Sequence, residues 1–366
     1  MSNTQKKNVP ELRFPEFEGE WEEKQLGNII KVNSGKDYKH LDKGDIPVYG
    51  TGGYMTSVSE PLSEIDAVGI GRKGTINKPY LLEAPFWTVD TLFYCTPKKE
   101  TDILFILSLF RKINWKVYDE STGVPSLSKQ TINKINRFVP TNKEQQKIGK
   151  FFSKLDRQIE LEEQKLELLQ QQKKGYMQKI FSQELRFKDE NGNDYPDWTN
   201  ERLGEVTTVT MGQSPKSVNY TDNSNDTVLI QGNADIENGL INPRIYTREV
   251  TKLIQKDEII LTVRAPVGKL AMAQINACIG RGVCSIKGDK FLYYFLEWFA
   301  TQNKWIRFSQ GSTFESISGN DIRNIHIKIP VEDERTKIIK LLNSLDVLNS
   351  KTDLKIQNLK QRKQSL

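Results

Sequence analysis

The sequence predicts an α/β (α+β) protein with a two-fold internal repeat, in which two globular segments alternate with two long helices. Three observations predict this class. A heptad pattern fills residues 142–181, the same pattern returns 190 residues later, and short strand-like segments with turn residues precede each helix. Internal repeats decide an architecture, because each copy is expected to fold in the same way.

Residues 142–181 are predicted to form one continuous helix. Alternating steps of four and three from Ile148 to Ile180 place apolar residues at eight of ten seam positions, with Glu162 and Lys173 as the exceptions. Such spacing favours a paired coiled helix over an ordinary surface helix. At about 1.5 Å per residue, the helix would be roughly 60 Å long.

A second long helix is predicted at residues 332–366, where the seam repeats with a constant offset of 190 residues. Leu345-Asp346 matches Leu155-Asp156, and Lys363 matches Lys173. Two helices with matched seams in one chain most simply pair with each other, and charged seam residues can fix their register.

The two globular segments open alike. Leu12-Arg13-Phe14 and then Trp21 open the first, whereas Leu185-Arg186-Phe187 and then Trp198 open the second. We therefore predict four parts, which are a globular segment at residues 1–141, a helix at 142–184, a globular segment at 185–331 and a helix at 332–366.

Composition favours a cytoplasmic protein without a membrane segment. The 366 residues carry a net charge of +6, and no apolar run has the length of a signal peptide or a transmembrane helix. Cys95, Cys278 and Cys284 are widely spaced, as expected in a reducing compartment. Neither His40 nor His326 has a partner at ligand spacing, so we expect no metal site, and we find no catalytic centre.

Two stretches without acidic residues favour contact with nucleic acid. One lies between Glu258 and Asp289, the other lies between Glu120 and Glu144, and both contain several lysines and arginines. Phosphate neutralisation needs such basic windows. The alternative is that they are ordinary solvated loops.

Residues 69–74 match a dinucleotide-binding glycine pattern, but a strand-to-loop turn is the better interpretation because a proline, rather than a helix, follows. The informative residue is Arg72, which we match with Arg264 in the second half, each having a glycine close behind. An arginine in such a loop can pair with a phosphate or read guanine. The alternative is a structural or solvated role.

Loop position, polarity and basic charge select the candidate DNA-binding residues. They are Lys36, Tyr38, Lys39, His40, Arg72, Lys73, Lys78, Lys216, Asn219, Tyr220, Gln231, Asn233, Arg264, Lys269 and Arg281. The aromatic residues of the shorter helices are instead expected to pack in the core, because their helical spacing recurs in both halves.

The chain resembles the specificity subunit of type I restriction–modification systems over essentially its full length. The resemblance is carried by Pro10-Glu-Leu-Arg-Phe-Pro15, by Gly212-Gln-Ser-Pro215, and by Pro140 followed by Glu144-Gln-Gln-Lys-Ile148. The two-copy layout is its most specific sign. One departure is that the second copy has Glu334-Arg335 in place of the Glu-Gln pair.

This resemblance implies two target recognition domains, each reading half of a split double-stranded DNA sequence, joined by an antiparallel coiled coil. It implies docking of two modification subunits, together with restriction subunits. S-adenosylmethionine, ATP and Mg are expected on those partners, so this chain would bind no cofactor and would not be an enzyme by itself. The candidate partner-binding residues are Glu144, Gln145, Lys147, Glu334, Arg335 and Lys337.

Two other functions remain open from the sequence. The first is a coiled-coil adaptor whose globular segments bind proteins, which predicts binding with little dependence on salt or DNA sequence. The second is a nuclease with a dispersed site, which predicts metal-dependent cleavage by the isolated chain. The lack of an acidic cluster shared by the two halves argues against the nuclease.

Overall fold

The computed structural model describes residues 8–305 and 316–366. The chain divides into two compact units. The first unit comprises residues 1–162 together with 355–366, and the second comprises residues 163–354. The four-part division predicted above stays a prediction, because these units divide each long helix.

Two long helices lie where the heptad patterns predicted them. Helix α4 spans Asn142–Phe181, and helix α8 spans Glu332–Ser365. Each contributes one stretch to each unit. Among the residues described, no helix is both long enough and apolar enough to cross a membrane.

In the first unit, the two long helices run antiparallel. Lys355 of α8 pairs with Glu162 of α4, and Lys363 pairs with Asp156. Rising residue numbers on one helix therefore meet falling numbers on the other. The first predicted seam exception, Glu162, is thus neutralised by the paired helix.

In the second unit, α4 and α8 share one hydrophobic core. Met177 and Ile180 of α4 lie in the same buried cluster as Ile338, Leu342 and Leu345 of α8. These are seam residues predicted from the heptad pattern, apart from Met177. The pairing of the two helices within each unit confirms the predicted coiled arrangement.

The first unit combines its stretches of the two long helices with short helices and strands. Its strands form sheets ordered β2-β8-β5-β6, β4-β3-β7 and β1-β9. The elements are β1 (Glu22–Gln25), α1 (Leu26–Ile29), β2 (Ile30–Ser34), β3 (Ile46–Gly50), β4 (Gly53–Val58), β5 (Ala67–Gly71), β6 (Tyr80–Leu82), β7 (Trp87–Thr88), β8 (Leu92–Pro97), α2 (Ile103–Lys112), α3 (Lys129–Lys134) and β9 (Asn136–Val139).

The second unit repeats this plan with additional strands. Its sheets are ordered β11-β21-β18-β19-β15-β14, β12-β16-β13-β20-β17 and β10-β22. The elements are β10 (Thr199–Arg202), α5 (Leu203–Val206), β11 (Val209–Met211), β12 (Tyr220–Thr221), β13 (Thr227–Ile230), β14 (Ile236–Glu237), β15 (Leu240–Ile241), β16 (Tyr246–Thr247), β17 (Leu253–Ile254), β18 (Ile259–Thr262), β19 (Leu270–Met272), β20 (Ala277–Ile279), β21 (Val283–Ile286), α6 (Lys290–Thr301), α7 (Gly319–Arg323) and β22 (His326–Ile329).

Strand register shows that the two units share a scaffold. Ile70 pairs with Phe93 between β5 and β8, and Leu261 pairs with Cys284 between β18 and β21. Both residues of the first pair are offset by 191 positions from the second. The predicted internal repeat is therefore present in the strand pairing, and it allows loops to be matched position by position.

Serine caps explain part of the repeated sequence before each long helix. The Ser128 hydroxyl accepts the backbone N–H of Thr131 at the start of α3, and the Ser318 hydroxyl accepts that of Asp321 at the start of α7. A hydroxyl at this position satisfies an amide that has no partner within the helix. Ser128 and Ser318 thus have a structural role.

Candidate nucleic-acid interface

Three loops of the first unit meet at one end of its sheets. The backbone N–H of Lys36 donates to the Thr88 carbonyl at 2.8 Å, and that of Arg72 donates to the Thr91 carbonyl at 2.8 Å. These bonds bring together segments that are far apart in sequence. We call them loop cluster 1, and they comprise residues 35–40, 72–74 and 88–91.

The corresponding loops of the second unit also meet. The Gln213 N–H donates to the Ile279 carbonyl at 2.9 Å, and the Val263 N–H donates to the Gly282 carbonyl at 2.9 Å. The Arg281 N–H donates to the Ser214 hydroxyl at 3.1 Å. We call these segments loop cluster 2, and they comprise residues 212–216, 231–233, 263–268 and 280–282.

Glycines permit the close approach of these loops. A Cβ atom on Gly35 would lie 2.0 Å from the Val89 carbonyl oxygen, and one on Gly212 would lie 2.1 Å from the Gly280 oxygen. Any side chain at either position would force the loops apart. The glycine that follows β2 in the first unit and β11 in the second is therefore required for the cluster.

Loop cluster 1 contains most of the candidates from the first half. Lys36, Lys39, Arg72 and Lys73 are exposed. The Arg72 guanidinium lies 5.8 Å from the centre of the Phe93 ring, a contact that holds it over the sheet. These four cations are available to an anionic partner.

Three further candidates of the first unit differ in their surroundings. Tyr38 is half-buried against a small hydrophobic cluster that includes Trp87. The exposed ring of His40 packs edge-on against Trp87 at 5.9 Å. Lys78 is exposed and lies further along the loop of Arg72 and Lys73, outside the residues that define loop cluster 1. Tyr38 and His40 thus combine a packed ring with a polar group.

Loop cluster 2 holds three exposed cations and borders a fourth that is engaged. Lys216, Arg264 and Arg281 are exposed. The Lys269 ammonium instead donates to the backbone carbonyls of Asn233 and Ile236, at 3.2 and 2.6 Å. Half-buried Gln231 adjoins Asn233 in the same loop. Lys269 therefore fixes this loop and is not a free phosphate contact.

A carboxylate organises the loop that carries Lys216, Asn219 and Tyr220. The Glu249 side chain accepts the Lys216 N–H at 3.0 Å and the Asn219 amide at 2.6 Å. These bonds, first the one from the Lys216 backbone, lower the pKa of Glu249. The Lys216 side chain is exposed, whereas Tyr220 is half-buried at the start of β12. Among these three residues, Lys216 is thus the most accessible.

The structure shifts one predicted correspondence by a residue. Lys73 and Arg264 form matching isolated bridges with Ser126 and Ser316, which are themselves equivalent in the repeat. Arg72 therefore lies one residue before the position equivalent to Arg264. The match of Arg72 with Arg264 made from sequence was wrong, because glycine spacing alone does not define a loop register.

The predicted partner-binding residue Glu144 is buried and bonded within the first unit. Its carboxylate accepts two hydrogen bonds from the Arg13 guanidinium at 2.8 Å each, and one from the Trp21 indole at 3.2 Å. The hydrogen bond to Glu144 raises the pKa of Arg13. Only 1% of the Glu144 side chain is exposed, so we assign it to intrachain bonding.

Glu334 repeats this arrangement in the second unit. The Arg186 guanidinium donates to its carboxylate at 2.9 and 2.8 Å, and the Trp198 indole donates at 2.9 Å. The Phe187 backbone N–H adds a fourth bond at 3.2 Å. The bond to Glu334 raises the pKa of Arg186. The Leu-Arg-Phe segments and their tryptophans therefore attach the opening of each half to a long helix.

Gln145 is also buried, and its side chain joins two elements. Its amide donates to the Pro140 carbonyl at 2.9 Å and its oxygen accepts the Asp102 N–H at 3.0 Å. We assign Gln145, like the two glutamates, to intrachain bonding rather than to partner contact.

The other partner candidates lie nearer the surface. Lys147 pairs with Glu16 at 2.9 Å, and Arg335 pairs with Asp289 at 2.8 Å. The Lys337 ammonium donates to the Lys188 carbonyl at 2.6 Å. These three charges remain candidates for partner contact.

Sequence reasoning missed the segment 88–91, which closes loop cluster 1. It contains no motif and no basic residue. Segment 88–91 could have been found from its position just before β8, because β8 matches β21 at an offset of 191 positions. The same offset places segment 88–91 opposite the residues just before β21.

Comparison with known proteins identifies the family. The model of the type I restriction modification DNA specificity domain matches the chain twice, at residues 18–171 and 195–361. A Methanocaldococcus jannaschii protein, assigned as the specificity subunit of type I restriction enzyme MjaX, is 30% identical over 261 residues. That match covers 67% of this chain and 61% of the relative, so the chain spans about three-fifths of the relative's length.

A second relative from the same organism, the type I restriction enzyme MjaVIII specificity subunit, is 25% identical over 312 residues. That match covers 78% of this chain and 71% of the relative.

Solved structures show the same fold. The type I restriction–modification system S subunit from M. genitalium superimposes with a TM-score of 0.68 at 15% identity, covering 94% of each chain. A chain from a structure on complex assembly and conformational transition of a type I R-M system gives a TM-score of 0.58 at 18% identity. That match covers 94% of this chain and 96% of the other. The double match to the family model and the shared fold together show that this chain belongs to the type I restriction modification DNA specificity family.

Proposed function

We propose that this chain is a non-catalytic, cytoplasmic specificity subunit that reads a bipartite double-stranded DNA target, one half with each unit. The observation that carries the proposal is the pair of loop clusters. They lie on one repeated scaffold, carry exposed cations at the equivalent positions Lys73 and Arg264, and differ elsewhere in sequence. Family membership supports the same function.

The two clusters would divide the work of recognition. Cations such as Lys73 and Arg264 would neutralise phosphates, which positions each unit on the duplex without reading its sequence. Side chains that differ between the clusters would read base edges. Two similar but non-identical units suit an asymmetric site with two separate halves.

Partner subunits would supply the chemistry. We propose that two modification subunits dock on the long helices and methylate adenine, and that restriction subunits join them. S-adenosylmethionine, ATP and Mg would bind those partners. In support, Val347 and Leu354 of α8 are 43% and 58% exposed and lie seven residues apart, the spacing that packs one helix on another. Lys147, Arg335 and Lys337 are further candidates for this contact.

Methylation mapping tests the proposal directly. The chain would be co-expressed with its modification subunit in a host without DNA methylation, and modified adenines would be located by single-molecule sequencing. We expect a two-part motif that disappears when this chain is omitted. Absence of any motif, with both subunits soluble, would overturn the proposal and favour a coiled-coil adaptor that binds proteins.

A further inference from the structure

Segment 88–91 of loop cluster 1 and segment 280–282 of loop cluster 2 can be aligned from their backbones. The Val89 carbonyl oxygen would lie 2.0 Å from a Cβ atom placed on Gly35. Likewise, the Gly280 carbonyl oxygen would lie 2.1 Å from a Cβ atom placed on Gly212. Val89 and Gly280 are therefore equivalent.

A second set of contacts gives the same alignment on the other side of the loop. In the first unit, the Gly35 N–H donates to the Leu92 carbonyl of β8 at 3.1 Å. In the second unit, the Gly212 N–H donates to the Val283 carbonyl of β21 at 3.0 Å. The residues between these fixed points therefore match one to one. The first residue after Val89 is Asp90, and its counterpart after Gly280 is Arg281. The two units thus carry opposite charges at one equivalent position.

The backbones of Asp90 and Arg281 are fixed while their side chains are free. The Arg281 N–H donates to the Ser214 hydroxyl at 3.1 Å, and neighbouring residues of both loops are held by backbone hydrogen bonds. Both side chains are exposed. Neither the Asp90 carboxylate nor the Arg281 guanidinium bonds to another residue in the part of the chain that the structure describes. Both are therefore available to a ligand on a rigid support.

The surroundings of Asp90 restrict what that ligand contact can be. The Lys73 N–H donates to the Thr91 carbonyl at 3.3 Å, so the backbone of a proposed phosphate-binding residue adjoins the residue that follows Asp90. A carboxylate is repelled by phosphate, so Asp90 cannot itself hold the DNA backbone. Its favourable contact on DNA is an amino group of a base.

We propose that Asp90 and Arg281 are specificity-determining residues that read opposite base chemistry in the two half-sites. This inference rests on the proposed DNA-specificity function. A carboxylate accepts a hydrogen bond from the N4 amino group of cytosine, whereas a guanidinium donates to O6 and N7 of guanine. The half-site read by the first unit then contains a cytosine at the Asp90 contact, and the other half-site contains a guanine at the Arg281 contact.

Methylation mapping of three variants tests this assignment. Asp90→Ala should relax one cytosine position in one half-site, and Arg281→Ala should relax one guanine position in the other half-site. Discrimination at that base should fall roughly tenfold to a hundredfold, the range of a good base contact. Asp90→Arg should convert the cytosine to a guanine at the same position.

Lys99→Ala and Lys287→Ala are matched controls. These exposed lysines lie just beyond the far ends of β8 and β21, whereas Asp90 and Arg281 lie before their near ends. The control variants should leave both halves of the motif unchanged. Circular dichroism melting of each variant establishes that it is folded.

A second measurement uses the wild-type chain and does not depend on variants folding. Oligonucleotides in which single bases of the motif are replaced would compete for binding to the complex of this chain with its modification subunit. A wild-type motif that survives unchanged in Asp90→Ala and Arg281→Ala overturns the inference but leaves the proposed function intact. A motif in which either half lacks a C·G base pair does the same. Absence of any wild-type motif instead contradicts the proposed function.

Discussion

At the scale of single residues, each unit has one buried carboxylate that accepts the same set of hydrogen bonds. Glu144 receives Arg13 and Trp21, and Glu334 receives Arg186 and Trp198. Each glutamate lies in the first turn of its long helix. A buried carboxylate with these partners is satisfied, but removal of the carboxylate would leave an arginine and an indole without an acceptor.

We expect Glu334→Ala to destabilise the chain by about 3 kcal/mol, the usual cost of breaking a buried ion pair by removing one partner. Urea denaturation followed by circular dichroism would measure the free energy of unfolding. Glu190→Ala is the control, because Glu190 is exposed and such changes usually stay within about 0.5 kcal/mol. Equal effects of both substitutions would show that the Glu334 contacts contribute nothing.

Charge reversal at the equivalent cations should weaken DNA binding and its salt dependence together. In Lys73→Glu/Arg264→Glu, the slope of log affinity against log salt should fall by about 2, roughly one for each lost phosphate contact. Fluorescence anisotropy with duplex DNA at several salt concentrations would measure it. Lys99→Glu/Lys287→Glu serves as the control, and an unchanged slope in the first variant would argue against phosphate contact.

The loop that carries Asn219 should loosen in acid. Hydrogen bonds lower the folded pKa of Glu249 below its ordinary value of 4.5, so their stabilisation is complete above that value. It is lost as the pH falls through the lowered folded value. The Asn219 side-chain amide signals in NMR should shift in this acid range. In Glu249→Gln they should not titrate; a titration that persists there would point to another group.

At the scale of elements, the second seam exception forms reciprocal ion pairs. Lys173 of α4 binds Asp346 of α8 at 2.7 Å in the second unit, and Lys363 of α8 binds Asp156 of α4 in the first unit. Lys173 also binds Glu297 at 2.7 Å. Because Lys173 is buried, a shift of one helix along the other would leave its charge buried without a carboxylate partner. These lysines therefore stabilise one register.

Lys173→Met should lower the free energy of unfolding by about 3 kcal/mol, because Glu297 and Asp346 would face each other without a cation. Lys174→Met is a close control, since the neighbouring Lys174 is exposed. Thermal and urea denaturation would compare the two. If both variants were equally stable, the reciprocal pairs would not hold the register.

At the scale of the whole molecule, the repeat and both long helices could be predicted because heptad spacing and a constant offset can be read directly from the order of residues. Contacts between distant residues could not. Glu144 looked like a surface charge in a first helical turn, yet its partner Arg13 lies 131 residues away. Lys269 looked like a free cation in a basic window, yet it binds two backbone carbonyls. Burial set by such contacts decided which candidates remain accessible.

Exchange of residues 1–141 for those of another member of the family should change one half of the methylated motif and leave the other half intact. The reason is that loop cluster 1 lies wholly within this segment and loop cluster 2 lies wholly outside it. Single-molecule sequencing of methylated DNA would show the result. A change in both halves would mean that the two clusters do not act independently.

The first unit is completed late in synthesis, because it combines two segments that are far apart in the sequence. Its residues 1–162 pack with residues 355–366, which leave the ribosome about 190 residues later, a delay of roughly 10–40 s at ordinary synthesis rates. During that interval, Leu155 and Ile159, which are buried in the finished protein, lack the α8 stretch of their own unit. Nascent chains therefore expose apolar residues of α4 for many seconds. That interval is the stage of biosynthesis at which chaperone binding to these apolar residues would matter most.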